Sequence, residues 1–129
     1  MRIEEALATK LRETASVNAL VGNRIYPTKA PQNTTTPHII YDLLGGADVT
    51  GHDGWGQLRT GRISYTCLAP TYGAAKAVSE AVRLALTGYR GVLSGLTVSI
   101  PQAYEDADLY DDLLGLYLVV VDFEMHWSA

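Results

Sequence analysis

Apolar side chains return every four residues at the start of the chain, at Ile3, Leu7 and Leu11, with Ala6 and Ala15 widening the stripe. That spacing is one buried helical face, so a helix is expected over residues 3–14, with Glu4 and Glu5 at its positive end. Ser16 is placed to cap a second short turn through Leu20, and Gly22 closes it. Pro27, Pro31 and Pro37 then bracket a stretch rich in Thr and Asn, which excludes helix.

The period now changes from four to two. Residues 38–44 are β-rich and end at Gly45-Gly46. Further on, Arg62, Ser64 and Thr66 alternate with Ile63, Tyr65, Cys67 and Ala69, the cleanest strand signal in the chain. Extended over residues 57–69, that strand would span roughly 43 Å. Its first part and the strand before it are therefore expected to project as a hairpin arm. Pro70 ends the strand, and Thr71 is a natural N-cap for a helix over residues 72–86. Ala75, Val78, Val82, Ala85 and Leu86 form the apolar stripe of that helix, and Gly88 ends it. A strand follows over residues 96–103, then the acidic run Glu105-Asp106-Ala107-Asp108-Leu109-Tyr110-Asp111-Asp112, read as a solvated turn. The last strand covers residues 116–127, and its centre, Leu118-Val119-Val120-Val121, is apolar on both faces and belongs mid-sheet.

The order predicts an α+β fold: a largely antiparallel four-stranded sheet with two helices packed on one face and a projecting β-hairpin. Ile3, Leu7, Leu11, Val78, Val82 and Leu86 should meet Ile63, Tyr65, Val119 or Val121 in the core. With 129 residues, 47% of them apolar and 19% charged, the chain reads as a single domain, 1–129, able to bury a core.

Composition then removes function classes. A net charge of −4 gives no general grip on nucleic-acid phosphates. Arg59 and Arg62 fall on opposite faces of their strand and make no basic stripe. No apolar run approaches the roughly 20 residues of a membrane span, and Met1-Arg2-Ile3-Glu4-Glu5 lacks the apolar core of a signal peptide. The single cysteine, Cys67, shares a face with Ile63 and Tyr65 and reads as a small buried hydrophobe.

Candidate chemistry is sparse. Counted as a calcium loop from Asp106, the acidic run offers Asp108 at position 3. It has Tyr110 at position 5 and Asp111 where glycine is needed, so no metal is expected there. His52-Asp53 lies in a glycine-rich loop with no anchored nucleophile nearby. Gly51-His52-Asp53-Gly54-Trp55-Gly56 has no lysine and no helix start, unlike a phosphate loop. His38 and His126 sit in strand patterns as structural histidines. No catalytic residue, cofactor or metal is expected.

Exposure is the stronger signal. Trp55 stands in a loop without local apolar partners, Tyr72 and Tyr89 flank the second long helix, and Tyr104 and Tyr110 bracket the acidic run. Such rings are enriched at protein contacts. Residues 47–56 are thus expected to be an assembly loop. The candidate interface residues are Asp48, His52, Asp53 and Trp55 there, with Pro27, Pro31 and Gln32 in the proline loop.

The segments Leu20-Val21-Gly22-Asn23-Arg24-Ile25-Tyr26-Pro27, Ala30-Pro31-Gln32 and Pro37-His38-Ile39-Ile40-Tyr41 resemble the tail-completion proteins of long-tailed phages, also called tail-terminator or tail-to-head joining proteins. Thr71-Tyr72-Gly73-Ala74-Ala75 opening a helix, a turn from Asp106 to Tyr110 and the closing Trp127 extend the likeness over most of the chain. The resemblance implies a structural protein, made in the bacterial host cytoplasm and carried in the virion tail. It implies a ring, usually of six subunits, at the head-proximal end of the tail tube, which ends tube growth. The implied partners are further copies of the chain, the tail tube protein and a head connector protein; DNA passes through unbound, and no membrane is involved. The alternative of another class is a non-enzymatic adaptor domain binding a peptide or small ligand.

Overall fold

A computed structural model describes residues 2–50 and 57–128. In chain order these form α1 (Ile3–Glu13), α2 (Ala15–Val21), β1 (Ile25–Pro27), β2 (His38–Thr50) and β3 (Gln57–Ala69), followed by α3 (Tyr72–Leu86), β4 (Arg90–Leu93), β5 (Leu96–Asp111) and β6 (Leu116–Ser128). The strands make one sheet in the order β1-β2-β3-β6-β5-β4, antiparallel except for the parallel β1–β2 pair.

The α+β class and the antiparallel core of β2, β3, β6 and β5 agree with the sequence reading, but among the described residues the sheet has six strands rather than four and there are three helices rather than two. Both added strands are edges of three and four residues, too short to display a period. β1 is fastened by its neighbours: the Ile39 amide donates to the Arg24 carbonyl at 3.0 Å and the Thr28 amide to the Tyr41 carbonyl at 2.8 Å. The expected short turn after α1 is a full helix, α2, and Ser16 does not cap it. Thr14 holds the N-cap position, and its hydroxyl instead donates back to the Lys10 carbonyl at 2.8 Å. Val17 and Val21 bury the inner face of α2 completely.

One face of the sheet is covered. Leu7, Leu11, Val78, Val82 and Leu86 pack with Ile63, Tyr65, Val121, Phe123 and Met125 in one cluster, each no more than 1% exposed. Val119 belongs instead to a small satellite cluster with Ala69 and Ala75 under the start of α3. Thr71 caps α3 as expected, its hydroxyl accepting from the Ala74 amide at 3.2 Å. Gly88, at φ +74°, ends the helix and donates its amide to Ile100 at 2.8 Å, so a residue with a free choice of φ is needed there. α1 touches both edges of the sheet. Arg12 donates to the Ile25 carbonyl of β1 at 2.7 Å, while the Lys10 ammonium sits 4.1 Å from the ring centre of Tyr89, just before β4. An 11-residue helix is only about 16 Å long, so the sheet must curl around the core to bring both edges to it.

β3 spans Gln57–Ala69 as expected, but two expectations about where strands end are corrected. β2 does not stop at Gly45-Gly46 but runs to Thr50, so residues 47–50 of the expected loop are strand, and β5 runs further than expected. β6 flanks β3 from Ala69 out to Arg59, which pairs with Trp127. Within the described residues Val49↔Leu58 and Thr50↔Gln57 extend the β2–β3 hairpin beyond that point. The acidic run is not a turn. β5 continues through it to Asp111 because β6 supplies a partner along the whole length, with register shifts at Ser99/Gln102 and Glu105/Ala107. The connection is made by residues 112–115.

Candidate assembly interface

The proline loop is stapled at its base. The Arg24 guanidinium donates Nε–H to the Pro37 carbonyl at 3.0 Å, Thr34 donates its hydroxyl to the Pro31 carbonyl, and the Thr36–Pro37 bond is cis. Fixed this way, Pro27, Pro31 and Gln32 stand exposed at the surface. Pro31 and Gln32, with Lys29, wall one side of a cleft of about 630 Å³ whose floor is Ile40 and Leu68 on the uncovered sheet face. Leu114 and Leu116, from the β5–β6 connection, wall the other side.

His38 faces this cleft from its base. It is 5% exposed, its ring stands edge-on to Tyr26 with centroids 6.2 Å apart, and Nδ1 has no hydrogen-bond partner among the described residues. Burial holds its pKa below the usual histidine value; the Arg24 charge pushes the same way and a hydrogen bond with the Thr35 backbone opposes both. His38 is therefore a buried neutral ring rather than a catalytic one.

The other candidates lie elsewhere. Asp48 belongs to β2, paired with Arg59, at the far end of the hairpin from the proline loop. Tyr41 pairs with Pro27, seven residues earlier on β2, so these two parts of the predicted interface are separated by roughly 23 Å along the strand. His52, Asp53 and Trp55 lie outside the described residues. The structure thus joins Pro31 and Gln32 in one surface and sets Asp48 apart from them.

At the proline-loop end the expected exposed rings Tyr72 and Tyr110 join leucines that the sequence reading did not single out. Leu109, Tyr110, Leu113 and Leu114 are 54, 52, 97 and 62% exposed, and Tyr72 is 46% exposed. Tyr72 and Tyr110 both pack on Tyr117, with centroids 6.1 and 4.8 Å away. The signal for the leucines is Leu113-Leu114 directly after two aspartates, an apolar pair with no period to bury it.

Chemistry remains structural. Asp108 accepts from the Tyr72 hydroxyl at 2.8 Å and pairs with Lys76 at 3.0 Å, which holds its pKa below the usual range. The Asp111 carboxylate accepts from the amides of Leu113 and Leu114. Among the described residues no group of acids, histidines and cysteine has metal-binding geometry, and no helix is long and apolar enough to cross a membrane. Cys67 is fully buried, and burial pushes its thiol up to about 12. On the uncovered face Arg62 pairs with the buried Asp122 at 3.1 Å and lies over the Tyr104 ring, 4.9 Å from its centre. No nucleophile stands beside a base in any of this.

Two solved structures share the fold. A chain from the virion of a native gene transfer agent (GTA) particle aligns at TM-score 0.69 and 19% identity, over 98% of this chain and 95% of that one. A second solved chain aligns at TM-score 0.66 and 10% identity, over 100% and 97%. No curated protein matches the sequence. The profile of the family described as Tail completion protein gp17 matches residues 5–127, from the first turn of α1 to the end of β6. The chain therefore belongs to the tail completion protein family and is a structural component of the phage tail, not an enzyme.

Proposed function

We propose that this chain forms a ring, of six subunits, at the head-proximal end of the tail tube, where it ends tube growth and joins the tail to the head connector. The observation that carries this reading is the family match over residues 5–127. It is supported by the likeness in fold to a chain of a gene transfer agent virion. The physical character of the subunit agrees: a dense curled sheet without catalytic apparatus among its described residues, and exposed aromatic and leucine side chains at one end. A net charge of −4 suits a lumen through which DNA moves without being gripped.

Within that reading residues 47–56 carry the contact between subunits or with the tube. Glycines at 51, 54 and 56 make the segment costly to order alone, and Trp55 supplies the apolar area that offsets the cost against a neighbour, by roughly 2–4 kcal/mol for a buried anchor. Asp48, His52 and Asp53 flank it, while Pro27, Pro31 and Gln32 present a second, stiff contact at the other end of the hairpin. Electron microscopy of purified protein should show rings. Trp55→Ala should lose the rings while keeping the melting temperature of the parent. A variant that unfolds instead would make Trp55 a core residue and remove the assembly loop from the proposal.

A further inference from the structure

The cleft beneath the proline loop and the apolar turn beside it differ in shape and charge in a way that makes them fit each other. The cleft is concave, about 630 Å³, with an apolar floor of Ile40 and Leu68. Lys29 stands on its rim, and none of the residues lining it is a carboxylate. The buried His38 ring closes its base. The turn is convex. Leu113 is 97% exposed at its tip, Asp112 beside it is exposed, and Leu114 continues the apolar surface. It is also already rigid: Asp111 Oδ1 accepts from the Leu113 and Leu114 amides at 2.9 and 3.1 Å, and the Gly115 amide donates to the Asp111 carbonyl at 2.8 Å. Little ordering cost remains for whatever contact the tip makes.

We propose that two copies of this chain pair about a two-fold axis through this end, the turn of each seated in the cleft of the other. Knob and hole lie side by side on one subunit, since Leu114 is itself a wall of the cleft. Adjacent complementary patches are satisfied by an isologous pair, in which residue i meets j and j meets i. Leu113 of one copy covers Ile40 and Leu68 of the other, and Asp112 faces Lys29. This contact is distinct from the ring contact assigned to residues 47–56, which lies at the opposite end of β2 and β3, and it does not depend on the ring.

Sedimentation across a concentration series tests the pairing. In the Trp55→Ala background, which the ring proposal leaves without rings, the chain should move from one to two subunits, and adding Leu113→Glu should raise the dissociation constant about tenfold or more with the melting temperature unchanged. Lys29→Glu alone and Asp112→Lys alone should each weaken pairing, and the double variant should restore it, because the swapped charges meet across the axis. The His38 ring resonances should shift with concentration while those of His126, at the far end of β6, stay fixed. Rings seen by electron microscopy should survive Leu113→Glu. A Trp55→Ala chain that stays a single subunit, a double charge swap no better than the single variants, or parent rings lost in Leu113→Glu would each overturn the proposal.

Discussion

Tyr65 lies fully buried between Tyr41 and Phe123, and its hydroxyl has no hydrogen-bond partner among the described residues. An unsatisfied buried hydroxyl costs about 1–3 kcal/mol, so Tyr65→Phe should leave stability unchanged or raise it. A loss above about 1 kcal/mol in denaturant unfolding would mean the hydroxyl has a role the packing does not reveal. Val82, wholly buried under α3, behaves in the ordinary way: truncation to Ala should cost about 1–3 kcal/mol. His38 gives a pH signature. Its pKa in the fold lies below the usual value of 6.5, so the unfolded chain binds the proton more readily. The contribution is full above pH 6.5 and is lost as pH falls below it toward the folded value. Melting temperature should therefore drop between pH 7 and 5.5, and by less in His38→Gln. Burial of Cys67, Val82 and Tyr65 was legible because each sits on a face whose neighbours at period two or four are apolar. The cleft around His38 was not, since its walls come from three segments far apart in sequence.

At the scale of elements, the long periodic segments were readable and the edges were not. α1, α3, β3 and β6 announce themselves by repeats of several periods, and Thr71 by its cap. β1 and β4 are made by tertiary pairing, which overrides the weak local signal of three or four residues. β5 shows the same override. Its acidic second half favours a turn by composition, yet β6 offers a ladder through residues 116–121, and the shift around Glu105/Ala107 absorbs the irregularity. Asp108 and Asp111 are then committed to Lys76, Tyr72 and the turn amides. Calcium at sub-millimolar concentration should accordingly leave the melting temperature where it is; a calcium-dependent rise would reveal a site. Between β3 and β6, the half-exposed Arg62 is the partner of the buried Asp122. Arg62→Ala leaves that carboxylate uncompensated and should cost about 1–3 kcal/mol, more than an ordinary surface change. Adding Asp122→Asn should recover part of the loss.

For the whole molecule, the curled sheet puts the proline loop and the apolar turn at one end of the β2–β3 hairpin and Thr50 and Gln57 at the other. The order of elements was enough to give an α+β fold with helices on one face. The curl was not, because it depends on α1 reaching both edges through Arg12 and Lys10, long-range contacts with no local pattern. Family resemblance in the proline segment reached the role by a different route, and the match over residues 5–127 places the chain among tail completion proteins. The central claim is that this subunit closes the tail tube. Tail length in particles assembled without the chain tests that most directly. Tubes should overrun their normal length and remain unattached to heads, and supplying the chain should restore both length and joining. Tails of normal length, joined to heads in its absence, would contradict the account.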